Sequence, residues 1–454
     1  MWLAGWSAVA VLCCLDRRPT ARAAPAAARP RQIEHLLPAV LILAALGLNL
    51  ANARAYPFRR SPFDWMGHVA YVERVAATWR APMATDGWQM FQPPLYYFLA
   101  ALLYRCFGGS ADPATALKAV QFIDAVAGTL LSVVTWLQLR LLRPHDVRGT
   151  WVATAIVAFL PMSLYMNPLI SNEAFAGTVI ALSTYLLLRL LSRRAPAPRD
   201  AALAGIAAGA GLLSKFTGLF SVLTGIVCLL GAVVTTRRSE WWRAFGAYAV
   251  CAGLVAGWFY LRNTLVFGTP FVGAWHAASG FAFVQEPTFR TPGFLLSAGR
   301  VFFQHPATSL WTSLLDGHYA TLWADPHSNF FSQGDDRGFL WMSVLLLLGA
   351  APTVATLLGL GGIARRALSS PRNLRALAMI MVIVTTWWSL LLFALTVPTY
   401  SSIKAFYWLS LVPSLAVCLA TGRAAIARRM PRACTLLDVT VCVSAVLSAC
   451  LFRF

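Results

Sequence analysis

Apolar runs of roughly bilayer-spanning length recur along this chain, separated by short polar segments. They lie at 36–53, 120–139, 151–170, 174–191, 202–213, 216–235, 244–261, 339–362, 376–397, 405–420 and 436–451. This pattern predicts an all-α polytopic membrane protein with about eleven transmembrane helices. The run at 1–15 is apolar but short, and it lacks the basic start and small-residue cleavage site of a secretory signal, so it is read as an extra or partial span. The run LYYFLAALLYRCF at 95–107 falls short of the roughly 20 residues needed to cross. With the amphipathic stretch at 69–79, it predicts helices lying along the membrane surface.

Domain organisation follows from the same pattern. Residues 1–32 form an apolar segment and a Pro/Ala-rich basic linker, and residues 33–454 form a single integral membrane domain. Its two long outer loops cover about 54–118 and 263–338.

Charge fixes the orientation. The formal net charge is +20, which in a soluble protein suggests nucleic acid. Here the cations cluster in short loops near Arg17, Arg140, Arg193, Arg237, Arg365 and Arg428, the distribution expected of loops on the cytoplasmic side. The bilayer replaces nucleic acid as the partner, and the long loops then face outward. No Walker or dinucleotide-binding glycine pattern is present, which argues against nucleotide-driven chemistry. The 9 cysteines lie mostly in apolar runs without zinc-site spacing.

Chemistry-bearing residues gather in the segments assigned to the outer face. Asp64 and His68 in FDWMGHVAY stand four apart, so on a helix a carboxylate could serve as base beside an orienting imidazole. The bland alternative is a helix-capping acid with an interfacial histidine. In FQPPLYY, two prolines fix the backbone and aim Gln92, Tyr96 and Tyr97. The turn NPLISNE supplies Asn172 and a second carboxylate, Glu173, although capping by Ser171 or Asn172 would explain part of it. Lysine occurs only at 118, 215 and 404, so Lys215 and Lys404 at outer span ends are candidates for phosphate contacts, with snorkelling as the alternative. Arg262 is a further candidate cation, and Tyr407 follows Lys404 in KAFYWLSLVP. The second loop holds His305, Asp316, His318, Asp325, His327, Asp335 and Asp336 without recognised ligand spacing. Trp275, Trp311, Tyr319 and Trp323 offer faces for sugar rings or for the interface.

These motifs, in this order, resemble the GT-C membrane glycosyltransferases, especially the branch of the protein O-mannosyltransferases and the lipid A aminoarabinose transferase. The resemblance covers most of the chain. It matches Asp64 to the first-loop catalytic acid, QPPLYY to the [KQ]PPLxY element and NPLISNE to the second-loop acidic turn. LLSKFTGL, WFYLRN with FGTP, and KAFYWLSLVP match later elements near the lipid-phosphate donor. One departure is a single first-loop acid where protein O-mannosyltransferases carry an Asp-Glu pair. The resemblance implies transfer of a sugar from a polyprenyl-phosphate donor to a hydroxyl of a lipid, glycan or protein, with the acceptor open. Asp64 is then the general base, and Lys215, Arg262 and Lys404 hold the departing phosphate. No cofactor is required, since phosphate is already a good leaving group, and a divalent metal stays an alternative. The expected location is a bacterial inner or cell membrane, with the site on its extracytoplasmic side. The competing class is a transporter or flippase of lipid-linked saccharide, which would be expected to show an inverted repeat and polar groups at mid-bilayer.

Overall fold

The computed structural model describes residues 31–60, 64–273, 276, 290–327, 330, 336–370, 373–397 and 402–454. The segment 1–30, Trp275 and Asp335 lie outside the described residues. The described part is helical, with no strand.

The helices are α1 (Arg31–Ala55), α2 (Trp65–Thr78), α3 (Leu95–Cys106), α4 (Pro113–Leu142), α5 (Val147–Ala158), α6 (Pro161–Met166), α7 (Glu173–Leu191), α8 (Pro198–Ser214), α9 (Gly218–Thr236) and α10 (Ser239–Phe267). Short helical turns between 292 and 312 lead to α11 (Leu314–Trp323). Then come α12 (Asp336–Ser369), α13 (Leu374–Thr396), α14 (Val412–Arg429) and α15 (Pro431–Leu451).

Local chemistry explains where several helices begin. Asp112 caps α4 by accepting from Thr115 N, with Pro113 in the first turn, where no N–H is needed. Asp146 caps α5 through Gly149 N at 2.9 Å. Asn373 caps α13 through Ala376 N.

Among the described residues, ten spans are long and apolar enough to cross a membrane. The eleventh expected span, at 202–213, is α8. At 17 residues it is about 25 Å long, the short limit for crossing. It nonetheless runs the length of the bundle, because its last residue meets the start of α7: Asn172 Nδ2 donates to Ser214 O at 3.2 Å. Close backbone approach makes this possible. A Cβ on Gly205 or Gly209 would stand 2.3 Å from Tyr248 O or 2.7 Å from Ala252 O, so this small-xxx-small stripe seats α8 directly on α10. Gly359 of α12 and Gly422 of α14 make a second crossing of this kind.

Other boundaries moved. The expected span 151–170 breaks before Pro161 into α5 and α6, together counted as one crossing. The span expected at 405–420 enters through a 3₁₀ stretch, Ala405–Leu411, and becomes α-helical only at Val412. The first long loop is narrower than 54–118, since α1 runs to Ala55 and α4 starts at Pro113. The second begins after Phe267, where Gly268 ends α10 at φ 72°.

Two ends of the bundle differ in charge chemistry. At one end arginines are paired: Arg140 with Glu34, Arg143 with Asp146, Arg193 with Asp200, and Arg148 and Arg423 with buried Asp438. At the other end α2 packs on α3, and α3 packs on α4. They bury Val69, Val72 and Ala76, and Tyr97, Ala101 and Tyr104, with Leu117 and Val120, spaced three to four apart along each helix.

Candidate active site

Asp64 immediately precedes α2, and its Oδ2 accepts from Gln89 Nε2 at 2.8 Å. Gln89 sits in the loop between α2 and α3 at φ 67°, a left-handed conformation costly for a residue with a side chain. Its side chain passes over Gly67, where an added Cβ would lie 2.7 Å from Gln89 Cγ. Gln92 Nε2 donates to Gln89 Oε1 at 3.2 Å, and Asn172 Nδ2 reaches Gln92 Oε1 at 3.4 Å. The first-loop acid is thereby connected to the NPLISNE turn.

Asn172 occupies the N-cap position of α7, yet its side chain makes no capping bond. Capping therefore does not explain that side chain. Ser171 takes that role in part, its hydroxyl accepting from Glu173 N at 3.3 Å. Glu173 opens α7, where the helix dipole favours a carboxylate, and it pairs with Lys215. The Lys215 ammonium also lies 4.7 Å from the centre of the Tyr407 ring. Lys404 and Tyr407 are delivered by the 3₁₀ stretch, which packs on α7 because Gly177 leaves room for Leu409; a Cβ there would be 2.7 Å from Leu409 Cβ.

Electrostatics bind these groups into one cluster. Burial raises the Asp64 carboxyl above its ordinary value, opposed by the charge of Lys404. Burial lowers Lys404 to about 8, opposed by Asp64 and Glu173.

Two expected roles change. His68 does not orient Asp64: the carboxylate takes its side-chain hydrogen bond from Gln89, and His68 Nδ1 pairs with Tyr97 OH at 2.8 Å. Burial holds this imidazole neutral, at about 3, with the Lys215 charge adding to the effect. Tyr97 also stacks on Tyr71 with ring centres 3.6 Å apart. Arg262 makes its contacts away from the two lysines. Its guanidinium donates to Ala81 O at 2.9 Å and covers Phe259, so it fastens the loop that carries Gln89.

Tyr96 OH donates to Asp124 Oδ2 at 2.9 Å. Asp124, fully buried in α4, was missed as a candidate although a lone acid inside an apolar run is a recognisable signal. Gln89 was also missed, and nothing in the sequence marks it.

Among the described residues no three His, Cys, Asp or Glu form a metal-holding group. Asp316 accepts from the backbone N–H groups of Gly299 and Arg300, His318 Nδ1 bonds Leu314 O, and His305 stacks on Phe339. Tyr319 and Trp323 hydrogen-bond to α12 and so serve packing.

Comparison with known proteins bears on the fold and on part of the sequence. Residues 91–260 match the family described as dolichyl-phosphate-mannose-protein mannosyltransferase. That match includes Gln92, Glu173 and Lys215 but stops short of Asp64 and Lys404. A polyprenol-phosphate-mannose-dependent alpha-(1-2)-phosphatidylinositol mannoside mannosyltransferase of Mycobacterium tuberculosis is 30% identical over 172 residues, 37% of this chain and 38% of that protein. The Archaeoglobus fulgidus oligosaccharyltransferase, solved with Zn and sulfate, superposes with a TM-score of 0.55 at 14% identity, over 92% of this chain and 53% of that one. The same archaeal enzyme, AglB, solved with an inhibitory peptide and a dolichol-phosphate, gives 0.51 at 12% identity, over 93% and 56%. Residues 91–260 are thus similar to that mannosyltransferase family, and the superpositions show the fold of the archaeal membrane enzyme. The chain spans little more than a third of the curated relative's length and about half of the archaeal enzyme's.

Proposed function

We propose that this protein transfers a sugar from a polyprenyl-phosphate-linked donor to a hydroxyl acceptor at the extracytoplasmic face, with Asp64 as general base. The observation that carries this reading is the division of labour between the carboxylates. Glu173 is neutralised by Lys215, whereas Asp64 is held by a neutral amide and raised toward protonation by burial. Of the two, Asp64 is suited to take a proton.

In the reaction the acceptor oxygen bonds to the anomeric carbon from the face opposite the phosphate, inverting it. The hydroxyl proton passes to Asp64, and the carbon–oxygen bond to phosphate breaks with its electron pair. The phosphate leaves as a monoester with one more negative charge than the diester. Lys404 and Lys215 supply the positive charge that stabilises it. The paired arginines at the opposite end support an outward-facing site, since cationic loops stay on the cytoplasmic side.

The test is transfer of labelled sugar from a panel of polyprenyl-phosphate sugars to an envelope extract by purified protein and its Asp64→Asn variant. The proposal expects a loss of about 10²- to 10⁴-fold with donor binding retained. Full transfer by the variant would remove Asp64 from the chemistry. Carrier binding by both proteins without any transfer would favour a lipid transporter.

A further inference from the structure

We infer that Asn172, Gln92 and Gln89 form a one-directional amide relay that fixes which oxygen of Asp64 receives the proton, with Gln89 its terminal positioning residue. The inference rests on the reading of Asp64 as base and names residues that reading did not use.

Direction follows from one pure acceptor. The carbonyl of Ser214 can only accept, so the Asn172 amide must turn its NH₂ toward it, at 3.2 Å. That same NH₂ then faces Gln92 Oε1 at 3.4 Å, which sends the Gln92 NH₂ to Gln89 Oε1 at 3.2 Å. Gln89 is left with its NH₂ toward Asp64 Oδ2 at 2.8 Å. Reversing any one amide would set donor against donor or acceptor against acceptor at two junctions. The relay therefore presents a donor to Oδ2 whether or not Asp64 carries a proton. Oδ2 stays an acceptor, and an incoming proton goes to Oδ1.

The backbone is built around this arrangement. Gln89 holds a left-handed conformation at φ 67°, and Gly67 leaves the space its side chain crosses. The backbone of Gln92 is also held, as Tyr71 OH donates to its main-chain carbonyl at 3.0 Å. Strain at a non-glycine residue whose side chain ends on a candidate base is the pattern of a positioning residue.

The test measures Asp64 directly. Its carboxyl stretch is followed by infrared titration of purified protein in detergent, identified as the band missing from Asp64→Asn. An N–H donor favours the ionised form. Gln89→Met, which cannot donate, should move the titration up by about one pH unit, and Gln89→Glu should move it further through like charge. Gln89→Gly removes the amide while relieving the left-handed backbone, so it should fold at least as well as wild type and shift the titration as Gln89→Met does. The acid limb of transfer should move with the band, lowering kcat near neutrality and leaving donor KM in place. An unmoved band in both Gln89→Met and Gln89→Gly overturns the relay, whatever happens to activity. A shifted band together with full transfer by Asp64→Asn keeps the relay and removes the base assignment.

Discussion

Lys404 should take up a proton when the donor phosphate binds. Its side chain is almost fully buried, and burial brings it from 10.5 to about 8 against the attraction of Asp64 and Glu173. Between those values the folded protein binds fewer protons than the unfolded chain, so stability rises with pH across that window. Below it the buried ammonium costs on the order of 3 kcal/mol. A bound phosphate adds negative charge beside that of Asp64 and Glu173. If it restores the ordinary value, binding takes up roughly 0.9 proton at pH 9 and roughly 0.1 at pH 7. The assay is titration calorimetry with a polyprenyl phosphate in buffers of different ionisation enthalpy. A phosphate monoester, with a second pKa of about 6, is already ionised at pH 9 and adds no proton of its own. Lys404→Arg should bind without uptake, because guanidinium stays charged throughout. Equal uptake at pH 7 and 9, or undiminished uptake by Lys404→Arg at pH 9, would refute the reasoning.

Glu173→Gln leaves the Lys215 ammonium buried without its carboxylate and should lower stability by about 3–5 kcal/mol, read by thermal unfolding in detergent. Adding Lys215→Met should return much of that loss. Asp438→Asn, which strips the buried partner from Arg423 and Arg148, should cost a similar about 3–5 kcal/mol and leave turnover per folded molecule unchanged. Gly422→Ala should lower the melting temperature, since its Cβ would fall 1.8 Å from Ala355 O. Gly253→Ala, with nothing within 4 Å, should be neutral or gain up to about 1 kcal/mol.

Spanning helices were legible because lipid leaves a long apolar run few other conformations. Their interruptions were less so. The break at Pro161 was written in the sequence, but the 3₁₀ entry at Ala405–Leu411 depends on the space Gly177 provides in another helix. The candidate site shows the same division. Asp64, Gln92, Asn172, Glu173, Lys215, Lys404 and Tyr407 were visible as polar or aromatic residues at span ends, and the fold brings them to one end of the bundle. His68 was found with the wrong partner, because four-residue spacing places two residues on one face only when both are helical, and Asp64 precedes the helix. Gln89 left no trace, since its role is created by a left-handed backbone and a glycine 22 positions earlier. Arg262 looked like a phosphate ligand on charge alone, and only its contacts reveal a fastening role.

The charges at the two ends argue for different tasks. At the arginine end, Asp438 accepts two bonds from Arg423, both at 2.7 Å, and one contact from Arg148 at 2.9 Å. Pairs this complete hold helices together and have little left for a ligand. At the other end Asp64 and Glu173 balance Lys215 and Lys404, so the group is neutral before a donor arrives. A sugar phosphodiester brings one negative charge. During the proposed transfer Asp64 gains a proton and loses its charge while the phosphate gains one, so the total inside the site does not change. In a site screened from water, moving a charge between fixed partners avoids the solvent reorganisation that creating one would demand. That economy holds only if Asp64 stays ionised until the acceptor hydroxyl arrives, and the donor bond from Gln89 together with the nearby Lys404 charge serves that end.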